Sequence, residues 1–275
     1  MTIEVGDLYH VVSGRDVGHG RAIVFLHGLG SSSSDWALQT EAFETRYRVI
    51  TLDLRGHGRS GRMEGRLTIE AMAEDVERLL ARRDEGAAHV VGLSLGGCVA
   101  MALALQSPAR VRSLTLINTF ARLTPAGVRG ALRMATRLSL LTVAPMPWVA
   151  ARIARGLFPK TEQRALYQAA VASLSRTPRR TYLAVIRALL GFDLRRRLSG
   201  IRCPTLVVAG DRDATVPLAA KTAVARAIPG ARLLVVPDSG HATPYDRPDL
   251  FNRLVLEFIS SQEDGAVTRR GDPRP

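Results

Sequence analysis

Cysteine is scarce. Cys98 and Cys203 are the only two in 275 residues and lie far apart, which leaves no disulfide framework and suits a reducing compartment. The opening residues, Met1 to Asp7, show no basic stretch followed by an apolar one, so nothing reads as a secretory leader. Long apolar runs are missing too: the least polar stretch, Leu138 to Ala151, is too short for a bilayer and carries Pro145 and Pro147. No internal repeat is present, no two histidines have zinc-ligand spacing on one helix, and no nucleic-acid module with interleaved aromatics is found. The expectation is a cytoplasmic protein with no transmembrane segment, no metal, no cofactor and no nucleic-acid partner.

What is present is an ordinary globular composition, with 46% hydrophobic and 23% charged residues in a chain long enough to bury a large core. Short runs rich in Val, Ile and Leu alternate with helical patterns, which predicts an α/β fold with a mostly parallel sheet of about eight strands covered on both faces. The predicted strands are 22–27, 48–53, 89–93, 111–118, 204–210 and 232–237, with an opening hairpin over 3–9 and 10–12 as an antiparallel edge. Between them, Ile69, Met72, Val76, Leu79 and Leu80 fall on one helical face, with Thr68 placed to cap and Glu70 in the first turn. Residues from about 126 to 198 break the alternation and read as three or four helices, an all-helical insertion between two strands. The polar, Gly- and Pro-bearing segment 262–275 reads as a frayed tail.

Chemistry is carried first by Gly92-Leu93-Ser94-Leu95-Gly96, which follows a strand and opens a helix. A sharp strand-to-helix turn needs small neighbours two positions either side of the serine, and the helix that starts there points its N-terminal N–H groups at the hydroxyl. A serine hydroxyl attacks only if a base takes its proton. Among six histidines, His10 and His89 fall in strands, His19 in a Gly-rich loop, and His27 and His57 in glycine-rich turns. His241, in Asp238-Ser239-Gly240-His241-Ala242 directly after the last predicted strand, is placed to reach across the sheet's carboxyl edge. The base needs a carboxylate, and Gly210-Asp211-Arg212-Asp213 offers two. Asp213 stands further into the loop and is preferred over Asp211, which is better placed to pair with Arg212 or cap the turn.

With these residues in order, the chain resembles an α/β-hydrolase over nearly its whole length, and Ser94, Asp213 and His241 then follow the triad order of that family. Leu26-His27-Gly28-Leu29-Gly30 resembles the family's oxyanion loop, and Asp53-Leu54-Arg55-Gly56-His57-Gly58-Arg59-Ser60 its D-x-x-G-x-G-x-S turn. The resemblance implies an oxyanion hole formed by the N–H groups of Leu29 and Leu95. It also implies a core of residues 1–120 and 201–262 with a helical cap over 121–200, and composition leaves 263–275 as a disordered tail. Serine at position 94 excludes the aspartate-dependent dehalogenases and epoxide hydrolases of the family, and the missing elbow tryptophan disfavours proline iminopeptidases. Cofactor-free dioxygenases of the fold are not excluded. The implied activity is a serine carboxylesterase acting on esters, lactones or thioesters. An acyltransferase or perhydrolase, an enol-lactonase, a C–C hydrolase, and a non-catalytic ligand receptor remain as alternatives.

Charge is uneven. Residues 121–200 hold 15 basic and 2 acidic side chains, against 13 and 14 in residues 1–120 and 10 and 9 in residues 201–275. Such a field attracts anions: a carboxylate-bearing substrate, an acidic acyl carrier protein or an anionic lipid surface. A solvated face in an arginine-rich chain explains the same pattern. Only Lys160 and Lys221 of the 38 basic residues are lysine.

Overall fold

The computed structural model describes residues 8–14, 21–60, 66–123 and 127–270. In chain order the elements are β1 (His10–Ser13), β2 (Ala22–Leu26), α1 (Ala37–Phe43), β3 (Arg48–Leu52), α2 (Ile69–Arg82), β4 (Ala88–Leu93), α3 (Leu95–Gln106) and β5 (Val111–Ile117). Four helices follow without a strand: α4 (Gly127–Val143), α5 (Met146–Leu157), α6 (Arg164–Arg176) and α7 (Arg179–Gly191). The chain then returns to β6 (Thr205–Gly210), α8 (Leu218–Ala227), β7 (Arg232–Val236), α9 (Thr243–Asp246) and α10 (Pro248–Arg270).

The strands form one sheet in the order β1-β3-β2-β4-β5-β6-β7, with β1 antiparallel to β3 and every other pairing parallel. Seven strands are therefore described where about eight were expected. The second arm of the expected hairpin is β1, while its first arm falls on residues 1–7, outside the described residues. Along β2 every residue is buried, and alternate side chains go to opposite faces: Val24 and Leu26 to a core beneath α2 and α3, Ile23 and Phe25 to one beneath α1 and α10. That two-sided burial is why these strands read as continuous apolar runs.

Helix α2 buries Ile69, Met72, Val76, Leu79 and Leu80, and its start is fixed by Thr68 Oγ1 accepting the Ala71 N–H at 3.1 Å. Helix α3 is buried nearly all round, from Leu95 to Ala104. Helices α4 to α7 carry a third core of Leu141, Val149, Ala150, Ala154, Leu174, Tyr182 and Ile186, so the insertion has an interior of its own. Leu29, on the loop after β2, packs against both this core and the one under α3. The ends of the insertion meet: Leu194 N–H donates to Ala121 O at 2.9 Å, and Arg122 faces Asp193. At the chain's end α10 continues to Arg270, through part of the segment expected as a tail, since no proline interrupts it before position 273; residues 271–275 lie outside the described residues. Among the described residues no helix is long and apolar enough to cross a membrane.

Candidate active site

Because the strands run parallel, the loops after β2, β4, β6 and β7 emerge on one edge of the sheet, and those loops carry the residues in question. Ser94 follows the central strand β4 directly and caps α3 with φ 54° and ψ −109°, in the left-handed half of backbone space that a non-glycine residue occupies at a cost. Packing holds it there. The Ser94 N–H donates to Ile117 O at 2.9 Å, and its carbonyl accepts from Thr119 Oγ1 at 2.7 Å and from the Cys98 N–H at 3.2 Å. Glycine is required at position 96, where a Cβ would come within 2.1 Å of Leu26 O. The loop after β2 lies against the serine, since a Cβ on Gly28 would sit 3.8 Å from Ser94 Cβ. Leu29 is half-buried on that loop and Leu95 is buried in the first turn of α3.

Asp213 and His241 come together from separate loops. His241 Nδ1 donates to Asp213 Oδ2 at 2.9 Å, with His241 8% exposed and the Asp213 side chain sealed from solvent. The other carboxylate oxygen, Oδ1, accepts the N–H groups of Thr215 at 2.7 Å and Val216 at 3.0 Å. Burial alone would push the Asp213 carboxyl up, but the facing His241 and Lys221 more than offset this and hold it below the usual carboxylate range. Asp211 takes a different part: it accepts the Ser239 N–H at 3.3 Å and stands 3.8 Å from Arg212.

The other histidines are committed elsewhere. His27 donates from Nδ1 to Gly28 O at 2.8 Å and accepts the Leu54 N–H at Nε2, which ties the loop after β2 to the loop after β3. Its ring meets that of His57 edge to face at 5.0 Å. Burial lowers the pKa of His27, and lowers those of His57 and His89 to about 3, so all three are neutral at pH 7. His89 Nδ1 pairs with Ser113 Oγ at 2.7 Å, His10 Nδ1 donates to Leu8 O, and His19 lies outside the described residues. In the turn after β3, Asp53 accepts the N–H groups of Ser33 at 2.6 Å and Arg59 at 2.7 Å. Its part is to brace neighbouring loops.

Three residues that sequence reasoning missed hold these loops in place. Asn118, fully buried just past β5 with φ 45°, donates from Nδ2 to Gly240 O, His241 O and Thr243 Oγ1, and accepts at Oδ1 from the Gly210 N–H. Ser94 is bonded to Ile117 and Thr119, so one three-residue segment fixes the backbone on both the serine and histidine sides. Asp246 accepts the Gly240 N–H at 2.6 Å and, from the insertion, Gln163 Nε2 at 2.8 Å. Lys221, on α8, reaches Asp213 from behind. Asn118 could have been suspected as the polar residue ending an apolar strand, and Lys221 as a charge on the helical face of Val224 and Ala225.

Among the described residues no group of three or more His, Cys, Asp or Glu is arranged to hold a metal ion. Both cysteines are free thiols, and burial pushes their pKa values up, to about 12 for Cys98 and about 11 for Cys203. A nucleophilic thiolate is thereby disfavoured.

Comparison with known proteins gives matches along almost the whole chain. A profile of the alpha/beta hydrolase family matches residues 23–254. A protein of Azorhizobium caulinodans, named as a candidate carbamate hydrolase, RutD, is 37% identical over 261 residues, which cover 92% of this chain and 94% of the relative. The 3-oxoadipate enol-lactonase 1 of Acinetobacter baylyi is 31% identical over 242 residues, covering 87% of this chain and 89% of its own. Among solved structures, the enol-lactonase of Burkholderia xenovorans superposes with a TM-score of 0.84 at 29% identity, covering 92% of this chain and 96% of that one.

Proposed function

The chain belongs to the alpha/beta hydrolase family, and from that premise we propose that it is a serine hydrolase of carboxylic esters, with lactones and thioesters as chemically equivalent acyl donors. The observation that carries this reading is the 2.9 Å hydrogen bond from His241 Nδ1 to a sealed Asp213 carboxylate, on loops that share an edge of the sheet with Ser94.

Ser94 Oγ attacks the acyl carbonyl while His241 Nε2 accepts its proton. Asp213 fixes the imidazole's orientation and stabilises the imidazolium. The N–H groups of Leu29 and Leu95 hold the negative charge that develops on the carbonyl oxygen, and each such donor contributes about 2.7–4 kcal/mol of transition-state stabilisation. The leaving alcohol departs with the proton from His241. A water then gives its proton to the same base and attacks the acyl-enzyme; the bond from the acyl carbon to Ser94 Oγ breaks, Ser94 takes the proton back from His241, and the carboxylic acid leaves. Helices α4 to α7 form the cap: Ser173 Oγ of α6 donates to Gly30 O at 3.4 Å, beside the oxyanion loop. The basic cap is a docking field for anionic acyl substrates or an acidic acyl carrier protein, and the two free thiols support a cytoplasmic setting.

Incubation with p-nitrophenyl acyl esters tests the reading, with Ser94→Ala beside the wild type. The expected outcome is loss of release by about 10⁴-fold or more in the variant; equal release by both proteins overturns it. The enol-lactonases among the relatives favour including lactones in the same screen. Competing alcohols, thiols and peroxide then show whether water is the preferred acceptor.

A further inference from the structure

We infer that Lys221 is a positioning residue of the triad, holding the Asp213 carboxylate toward His241 and offsetting part of its charge. The inference rests on the serine-hydrolase reading and deepens it.

The Lys221 side chain is fully buried, and an unpaired ammonium cannot be held there at a cost the fold could bear. All three of its N–H bonds are used: Nζ donates to Asp213 Oδ2 at 3.0 Å, Asn118 Oδ1 at 3.0 Å and Gly210 O at 3.1 Å. These acceptors belong to the acid loop, the segment after β5 and the end of β6. Asp213 is saturated in turn, with Oδ1 on two backbone N–H groups and Oδ2 on Lys221 and His241. Two fixed donors on one oxygen and two on the other leave the carboxylate a single orientation.

Stability alone does not call for a lysine, because an apolar side chain of equal volume serves a buried helix face as well or better. The neighbouring buried positions on α8 are Val224 and Ala225. Its effect on the chemistry follows from where the ammonium sits. The same oxygen that stabilises the imidazolium of His241 already faces a positive charge, so His241 holds the serine's proton less tightly and returns it to the leaving group more readily. The charged groups facing Lys221 are Asp213 and, further off, Asp211 on the acid loop, with His241 across Asp213; Asn118, after β5, is neutral. Burial pulls the lysine below its ordinary pKa, and Asp213 pulls it back up.

The test is the pH profile of kcat/KM for p-nitrophenyl acetate, on the full chain at fixed ionic strength, in the wild type, Lys221→Met and Lys221→Gln. Both variants lack the charge, and glutamine keeps a donor. The expected result is an acid limb moved to higher pH by about one unit in both, hence about tenfold slower turnover below the limb, with KM unchanged. Lys221→Met also lowers the plateau kcat, because Asp213 Oδ2 loses a donor, and Lys221→Gln recovers that plateau without restoring the limb. Thermal unfolding is read alongside, and if the methionine variant does not fold the glutamine variant carries the test. A limb at the wild-type position in a folded variant overturns the inference, whatever the loss in Tm, and leaves Lys221 as a packing residue. Failure of the serine reading is seen separately, as ester release that survives Ser94→Ala.

Discussion

Backbone strain among the described residues is concentrated at the carboxyl edge of the sheet. Among the described residues, four non-glycine residues have positive φ: Asp84, Ser94, Asn118 and Asp238. The last three stand just past the carboxyl ends of β4, β5 and β7, and the fold sustains them because each lies in a loop fastened from several sides. The buried histidines have a measurable consequence. His57 and His89 titrate at about 3 in the folded chain against 6.5 in the unfolded one. The unfolded state therefore binds protons that the folded state refuses, and stability falls as pH drops from about 6.5 toward 3. Urea unfolding at pH 7.5 and 5.5 should show a loss of about 1.4 kcal/mol for each of these two residues; an unchanged midpoint would mean that they are not held neutral. At this scale, Ser94 was legible because a strand, two glycines and a helix surround it in the sequence itself. Asn118 and Lys221 were not, because their roles exist only once β5, β6 and β7 lie side by side.

At the scale of elements, the sequence pattern and the structure agree to within a residue at most strand ends, since buried parallel strands are uninterrupted apolar runs and loops begin where polar residues do. The helix over residues 69–82 is the plainest example, its apolar stripe and its cap both visible beforehand. Removing that cap in Thr68→Ala leaves the Ala71 N–H without its partner and should cost about 1 kcal/mol, or about 2–4 °C in Tm for a chain of this size. Circular dichroism melting checks it, and no change in Tm would show that solvent substitutes fully. The insertion was harder to read. Helical content was evident, yet which apolar residues face inward was not: Leu141, Val149 and Phe158 are buried, whereas Val143 and Trp148 are 78% and 76% exposed. Helix–helix packing decides this, and periodicity in one helix does not reveal its partner.

Over the whole molecule, the excess charge and the proposed triad lie in different parts of the chain. The sheet and its loops are close to neutral, and the helical insertion holds the excess of 15 basic over 2 acidic residues. For an ester bearing a free carboxylate, kcat/KM should fall steeply between about 0.01 and 1 M salt, as the screening length shrinks from about 30 to 3 Å. A neutral ester of the same alcohol should change little, and parallel salt profiles for the two would remove the docking role of the basic surface. That the loops after β4, β6 and β7 emerge at one edge of the sheet could be anticipated from motif order, but not the route by which they brace one another. That route depends on contacts such as Gln163 with Asp246 and Lys160 with Asp238, between segments more than seventy residues apart.

The neck at which the insertion leaves and rejoins the sheet is a single narrow crossing, with Leu194 bonded to Ala121 and Arg122 beside Asp193. A segment whose two ends lie side by side is a cassette: it can be exchanged between homologous chains without rerouting any strand. Residues 122–193 are thus the natural unit to exchange in chimeras, and the substrate range of such chimeras tests whether the insertion sets it.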